Sequence, residues 1–160
     1  MSLYAHFHPA IVHFPIALLL VGSVVALACL YQLVPAHWRM VAWFMLACGW
    51  VGGLAAILSG LVAQSRLLPD APYALVINWH IGTGLAQLVL YGFLLYRGWI
   101  FHTARARHAR TALGRSAQDL FDDRAARTWI TFILCIGMLL IAATGWNGGI
   151  LVYQWGVNVK

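Results

Sequence analysis

Four long apolar runs, near residues 10–33, 40–64, 74–101 and 128–147, constrain this chain more than any other feature in it. Each is long enough, as a helix, to cross a hydrocarbon core of roughly 30 Å, which takes about 20 residues. Lipid offers no partner to an open backbone N–H or C=O, so runs of this length become helices. Hydrophobic residues make up 62% of the 160 positions and charged residues only 9%, too little polar surface for a water-soluble domain. The expected architecture is all-α: a four-helix bundle integral to a membrane, one domain over residues 1–160. Its outer loops are short, one cytoplasmic loop is longer and basic, and a C-terminal tail lies on the outer surface. The amino terminus, MSLYAHFHP, has no Lys or Arg and the first run is too long for an h-region, so it reads as a retained span rather than a signal peptide.

Charge sets the orientation. Arg97, Arg105, Arg107, Arg110, Arg115, Arg124 and Arg127 lie on or beside one connection, FHTARARHARTALGRSAQDLFDDRAART. Such a concentration stays inside, which puts both termini in the periplasm or at the cell exterior. An amphipathic surface helix is expected within this loop at Ala117–Ala126. The arginines serve topology and solvation, with anionic head-group contact as an addition. Nothing here resembles a nucleic-acid motif, so no nucleic-acid partner is expected. The acidic residues Asp70, Asp119, Asp122 and Asp123 all fall in loops. Without an intramembrane carboxylate the chain lacks the usual proton or cation relay of a secondary transporter.

Cys29, Cys48 and Cys135 sit in different spans, with no CxxC pair and no CxxCH for covalent haem attachment. Gly49, Gly52, Gly53, Gly60, Gly82 and Gly84 allow close approach between helices or against a flat ligand. Most tryptophans fall near the ends of the spans, as interfacial aromatics do. No internal repeat stands out.

The histidines carry the functional signal, because an imidazole at membrane depth is costly unless it holds something. His13 in HPAIVHFPI and His80 in NWHIGTG stand at similar depth on the outer side of spans one and three, with His8 and His6 just above. Arg66, Gln64, Asn78 and Asn147 belong to the same layer. Two imidazoles facing each other can ligate haem b on both faces, giving an iron that passes electrons without binding substrate. His13 and His80 are the expected axial pair, with Gly82 and Gly84 beside the macrocycle and Arg66 on a propionate. Pro15 should kink span one beside His13. The alternative is a copper or zinc site built from His8, His13 and His80, which requires His8 to leave the helix at Pro9. The plainest account has the histidines hydrogen-bonded to one another, to the carbonyl freed by Pro15 and to interfacial water.

The segment HPAIVHFPIALLL, together with the terminal GWNGGILVYQWGVNV, resembles a family of small bacterial membrane proteins catalogued as a domain of unknown function. His8, His13, Pro15, His80, Gly148, Gly149, Tyr153 and Gly156 are the positions that match its signature. The resemblance implies an association with redox modules of the Rieske or cytochrome c kind. It therefore implies electron exchange between the quinone pool and a periplasmic cytochrome or other redox protein, or a structural place in a larger membrane complex. The GGILVYQWGVNV tail is expected to leave the last span and fold back over the histidine layer as an extended or interfacial segment.

Overall fold

The computed structural model describes the backbone of residues 3–65, 67, 71–114 and 117–157, and within these all side chains except those of 3–7, 104, 105 and 110. Arg66, Asp70 and the side chain of His6 lie outside the described residues. Five α-helices follow in order: α1 (Leu3–Leu30), α2 (Trp38–Gln64), α3 (Ala74–Phe101), α4 (Ala104–Ala112) and α5 (Arg127–Tyr153), with a 3-10 turn at Leu120–Asp122 before the last. No strand occurs among the described residues.

The stretches His8–Leu30, Trp38–Gln64, Ala74–Phe101 and Arg127–Tyr153 are long and apolar enough to cross a membrane. Only 22–28% of the most apolar part of each is buried inside the protein. The rest, including Phe14, Met40, Leu58, Val89, Phe132 and Leu139, points outward. An apolar surface that extensive is stable only against lipid. One end of the bundle holds the start of α1, the α2–α3 connection and the end of α5; it is called here the histidine end. The other, holding the long loop, is the arginine end.

α1 packs mainly on α2, and α3 mainly on α5, with lighter contact from α2 to α3 and from α1 to α5. The molecule is thus two helical pairs joined along a looser seam, with α1 diagonal to α3. The pairs match in length, 28 and 27 residues in each. Glycine makes the first pair tight: a Cβ at Gly49 would lie 2.8 Å from Leu19 Cγ, and one at Gly52 would lie 3.2 Å from Pro15 Cβ. Pro15 is therefore buried against α2, inside a helix assigned without a break from Leu3 to Leu30.

Across the diagonal, the fully buried Ser23 and Tyr91 share a hydrogen bond of 2.7 Å. In an apolar core each hydroxyl would be costly alone, and each removes the cost of the other.

The spans differ from the sequence expectation at two ends. α1 stops at Leu30, short of Pro35, because Gln32 turns left-handed (φ 59°) and the N–H groups of Gln32 and Leu33 close onto the carbonyls of Cys29 and Ala28. α5 runs on through Gly148 and Gly149 to Tyr153, so the first half of the expected tail is helix. Gly156 (φ 64°) then turns the chain, and the Val157 N–H meets the Leu151 carbonyl at 2.9 Å.

The loop corrects a third expectation. Its helix is α4, at Ala104–Ala112, and not Ala117–Ala126. In the latter stretch Leu120 and Phe121 are adjacent, which makes no helical stripe, and they enter the bundle side by side. Phe121 stacks on Trp43 with ring centres 4.4 Å apart. The Asp119 carboxylate accepts from Trp43 Nε1 at 3.1 Å and from the Phe121 N–H at 2.9 Å, and lies 3.3 Å from His102 Nε2. Asp122 meets Arg39 at 2.6 Å and accepts from the Asp119 N–H. This segment is a plug at the arginine end. Phe121→Ala should cost about 3 kcal/mol, as truncation of a buried aromatic does. Asp119→Ala should cost about 2 kcal/mol, since it strands the Trp43 N–H. Thermal unfolding in detergent measures both, and an unchanged midpoint for Phe121→Ala would show that the plug does not contribute to the fold.

Candidate functional site

At the histidine end, α1 and α3 bring the rings of His8 and His80 together across the seam. Their ring centres are 6.3 Å apart and the rings are nearly perpendicular, at 88°. Both are half-buried.

Each ring is fixed through its Nδ1 by the helix paired with its own. His80 Nδ1 lies 2.9 Å from the Thr144 carbonyl of α5. A carbonyl only accepts, so Nδ1 carries the proton and, in the neutral ring, the lone pair is on Nε2. His8 Nδ1 lies 2.9 Å from Ser59 Oγ of α2, and the Ser59 hydroxyl donates to the Ala56 carbonyl at 2.8 Å. With its one proton committed, Ser59 accepts from His8, which leaves His8 with the same tautomer. Both imidazoles are thus set to present an Nε2 lone pair, the state a metal ligand needs.

Glycine makes room for each ring. A Cβ at Gly60 would lie 3.1 Å from His8 Cε1, and a Cβ at Gly148 would lie 3.1 Å from His80 Cε1. The two half-sites match: in each, the imidazole lies over a glycine four residues beyond the carbonyl that closes the contact, Ala56 with Gly60 and Thr144 with Gly148. The difference is that Ser59 bridges in the first half and the bond is direct in the second. Behind His80, the Thr144 hydroxyl lies 2.8 Å from the Thr83 hydroxyl, and Thr83 donates to the Trp79 carbonyl at 2.8 Å.

His8, and not His13, is the partner of His80. His13 is exposed and its Nδ1 turns back 2.6 Å to the Pro9 carbonyl of its own helix. Five residues separate His8 from His13, which at 100° per residue places them on different faces; α1 stays helical through Pro9, so His8 keeps its inward direction. For the same reason His8, His13 and His80 do not converge, and no group of three or more His, Cys, Asp or Glu able to hold a metal occurs among the described residues. Gly82 faces outward with nothing within 4 Å, and a Cβ at Gly84 would meet Thr144 Cγ2 at 3.7 Å, so neither touches the imidazoles. The expected contact from Arg66 lies outside the described residues. Asn147 donates to the Ala143 carbonyl of its own helix, and Asn78 and Gln64 are exposed.

The family of predicted membrane proteins DUF2231 matches residues 5–160, all but the first four positions. The chain belongs to that family. No curated protein and no solved structure matches it. In this DUF2231 chain the anchors Ser59, Thr83 and Thr144 were not singled out as site residues by sequence reasoning. A signal was present: Ser59 and Thr144 are hydroxyl residues inside apolar spans, each followed directly by glycine.

Proposed function

We propose that this chain is a b-type cytochrome-like electron carrier that holds one haem between His8 and His80 at the histidine end. The observation that carries the reading is the facing imidazole pair, with each Nδ1 anchored. Ring centres 6.3 Å apart would let His8 and His80 hold a single metal centre between them. The rings also meet across the looser seam of the bundle, where a flat macrocycle can enter between the two helical pairs with least disturbance of either. When bound, such a group supplies reversible one-electron chemistry, and with both axial positions taken it binds no substrate. Ser59 and Thr144 hold the ligands in orientation, and Gly60 and Gly148 let the rings lie against α2 and α5. The wider reading is electron exchange between the quinone pool and a periplasmic redox protein.

An absorption spectrum of protein purified in mild detergent tests this. A Soret band with about one haem per chain supports it. Folded protein without haem overturns it; stoichiometric copper or zinc would then favour a metal site, and neither cofactor with a constant partner would favour a structural subunit.

The same reading puts the histidine end in the periplasm of the inner membrane, because the arginines concentrate at the other end. In intact cells a membrane-impermeant thiol reagent should label Gln154→Cys and spare Thr111→Cys, both at exposed positions. The opposite pattern would reverse the orientation and place the site on the cytoplasmic side.

A further inference from the structure

The helix α4 is not used by the histidine site, and its place in the fold is unusual. Only His102 and Thr103 separate it from α3, and the Thr103 hydroxyl accepts the Ala106 N–H at 3.4 Å, so the helix starts at the level where the third span ends. It touches the bundle chiefly through α3. Arg107, His108, Ala109, Thr111, Ala112 and Leu113 are all exposed, Leu113 to 71%. At 100° per residue, positions 106, 109 and 113 fall on one side of the helix, positions 107, 108 and 111 on the other, and positions 105 and 110 on the two flanks between them. The first set is Ala, Ala and Leu, the second Arg, His and Thr, and both flanks are Arg. This is the pattern of a helix that lies in a membrane interface.

The charge around it has one sign. Arginines stand at 97, 105, 107, 110 and 115, and no acidic residue occurs from 71 to 118. The loop acids nearest in sequence turn inward: Asp119 to Trp43 and the Phe121 N–H, Asp122 to Arg39. Arg107 and His108 have no protein partner among the described residues. Arg97 and Arg127 are used differently, over the rings of Trp129 and Tyr31 at 5.6 and 5.4 Å. Among the described residues, Arg107 is therefore an unneutralised cation where a span ends, at head-group level.

We propose that α4 is a binding surface for anionic phospholipid head groups, with Ala106, Ala109 and Leu113 toward the acyl boundary and the Arg107 side toward phosphate. Each basic residue near an anionic surface contributes about a fivefold preference, so three arginines give well over tenfold.

The experiment uses the whole chain in nanodiscs of phosphatidylcholine, with or without 30% phosphatidylglycerol, and reads amide hydrogen exchange in α4. In the anionic discs residues 105–112 should exchange at least ten times more slowly than in neutral discs. That difference should vanish in Arg105→Gln/Arg107→Gln/Arg110→Gln, whose α1 and α5 amides stay as protected as in the parent. Inorganic phosphate at 50 mM with neutral discs should not reproduce the protection; if it does, the site binds free phosphate and the lipid assignment fails. Equal exchange in both discs, or a lipid effect that survives the triple substitution, overturns the proposal. So does protection given by a single-stranded oligonucleotide and not by phosphatidylglycerol.

Discussion

On the proposed haem reading, His8→Ala and His80→Ala should each be purified without the low-spin haem spectrum expected of the parent, while His13→Ala should keep it in full. The contrast follows from where α1 directs its two histidines. His8 faces His80 at 6.3 Å and His13 bonds its own helix. Loss of either axial nitrogen leaves a high-spin or empty site. Exogenous imidazole should restore the low-spin spectrum in the two alanine variants, a rescue that a merely packing histidine would not show. Ser59→Ala is the graded counterpart. It leaves the ligand and removes the acceptor that fixes its tautomer, so haem affinity should fall 10- to 100-fold, as for other anchors behind a metal ligand. Haem loss in His13→Ala with retention in His8→Ala would restore His13 as the ligand and discard the pair described here.

The number and approximate positions of the spans were legible in the sequence, because they depend on run length. Which histidine faces inward was not. Pro9 reads as a first-turn residue, which would have freed His8 from the helix, yet the chain is helical from Leu3 and carries Pro9 and Pro15 within it. Neither proline interrupts α1, and Pro15 is used as a surface that fits Gly52. Glycines posed the same difficulty. Gly60 and Gly82 look alike in sequence, but one supports an imidazole and the other faces open space, and only the packing of the neighbouring helix separates them. The DLFDD stretch was misread as a surface helix because its burial depends on Trp43, a residue 76 positions away in the chain from Asp119.

The largest effect on stability should come from Gly137→Ala, set against Gly82→Ala as its control. A Cβ at Gly137 would lie 2.6 Å from both Cζ and Oη of Tyr91. Tyr91 is a rigid ring, fully buried and held at its hydroxyl by the buried Ser23. For the methyl to fit, α3 and α5 must separate or the ring must tilt, and tilting breaks the Ser23 bond inside an apolar core. Alanine gains about 1 kcal/mol over glycine in helix propensity. Against this stand overpacking at about 1–3 kcal/mol and two buried hydroxyls without partners at about 1–3 kcal/mol each. The balance is a net loss of about 5 kcal/mol, read as a lower midpoint of thermal unfolding in detergent. At Gly82 nothing lies within 4 Å, so the propensity gain stands alone and the midpoint should rise slightly. Tyr91→Phe in the Gly137→Ala background should recover part of the loss, since it removes the oxygen in the way and leaves only Ser23 unpaired. A Gly137→Ala protein as stable as the parent would mean that α3 and α5 are free to part at mid-membrane, and that the Ser23–Tyr91 bond does not hold the diagonal.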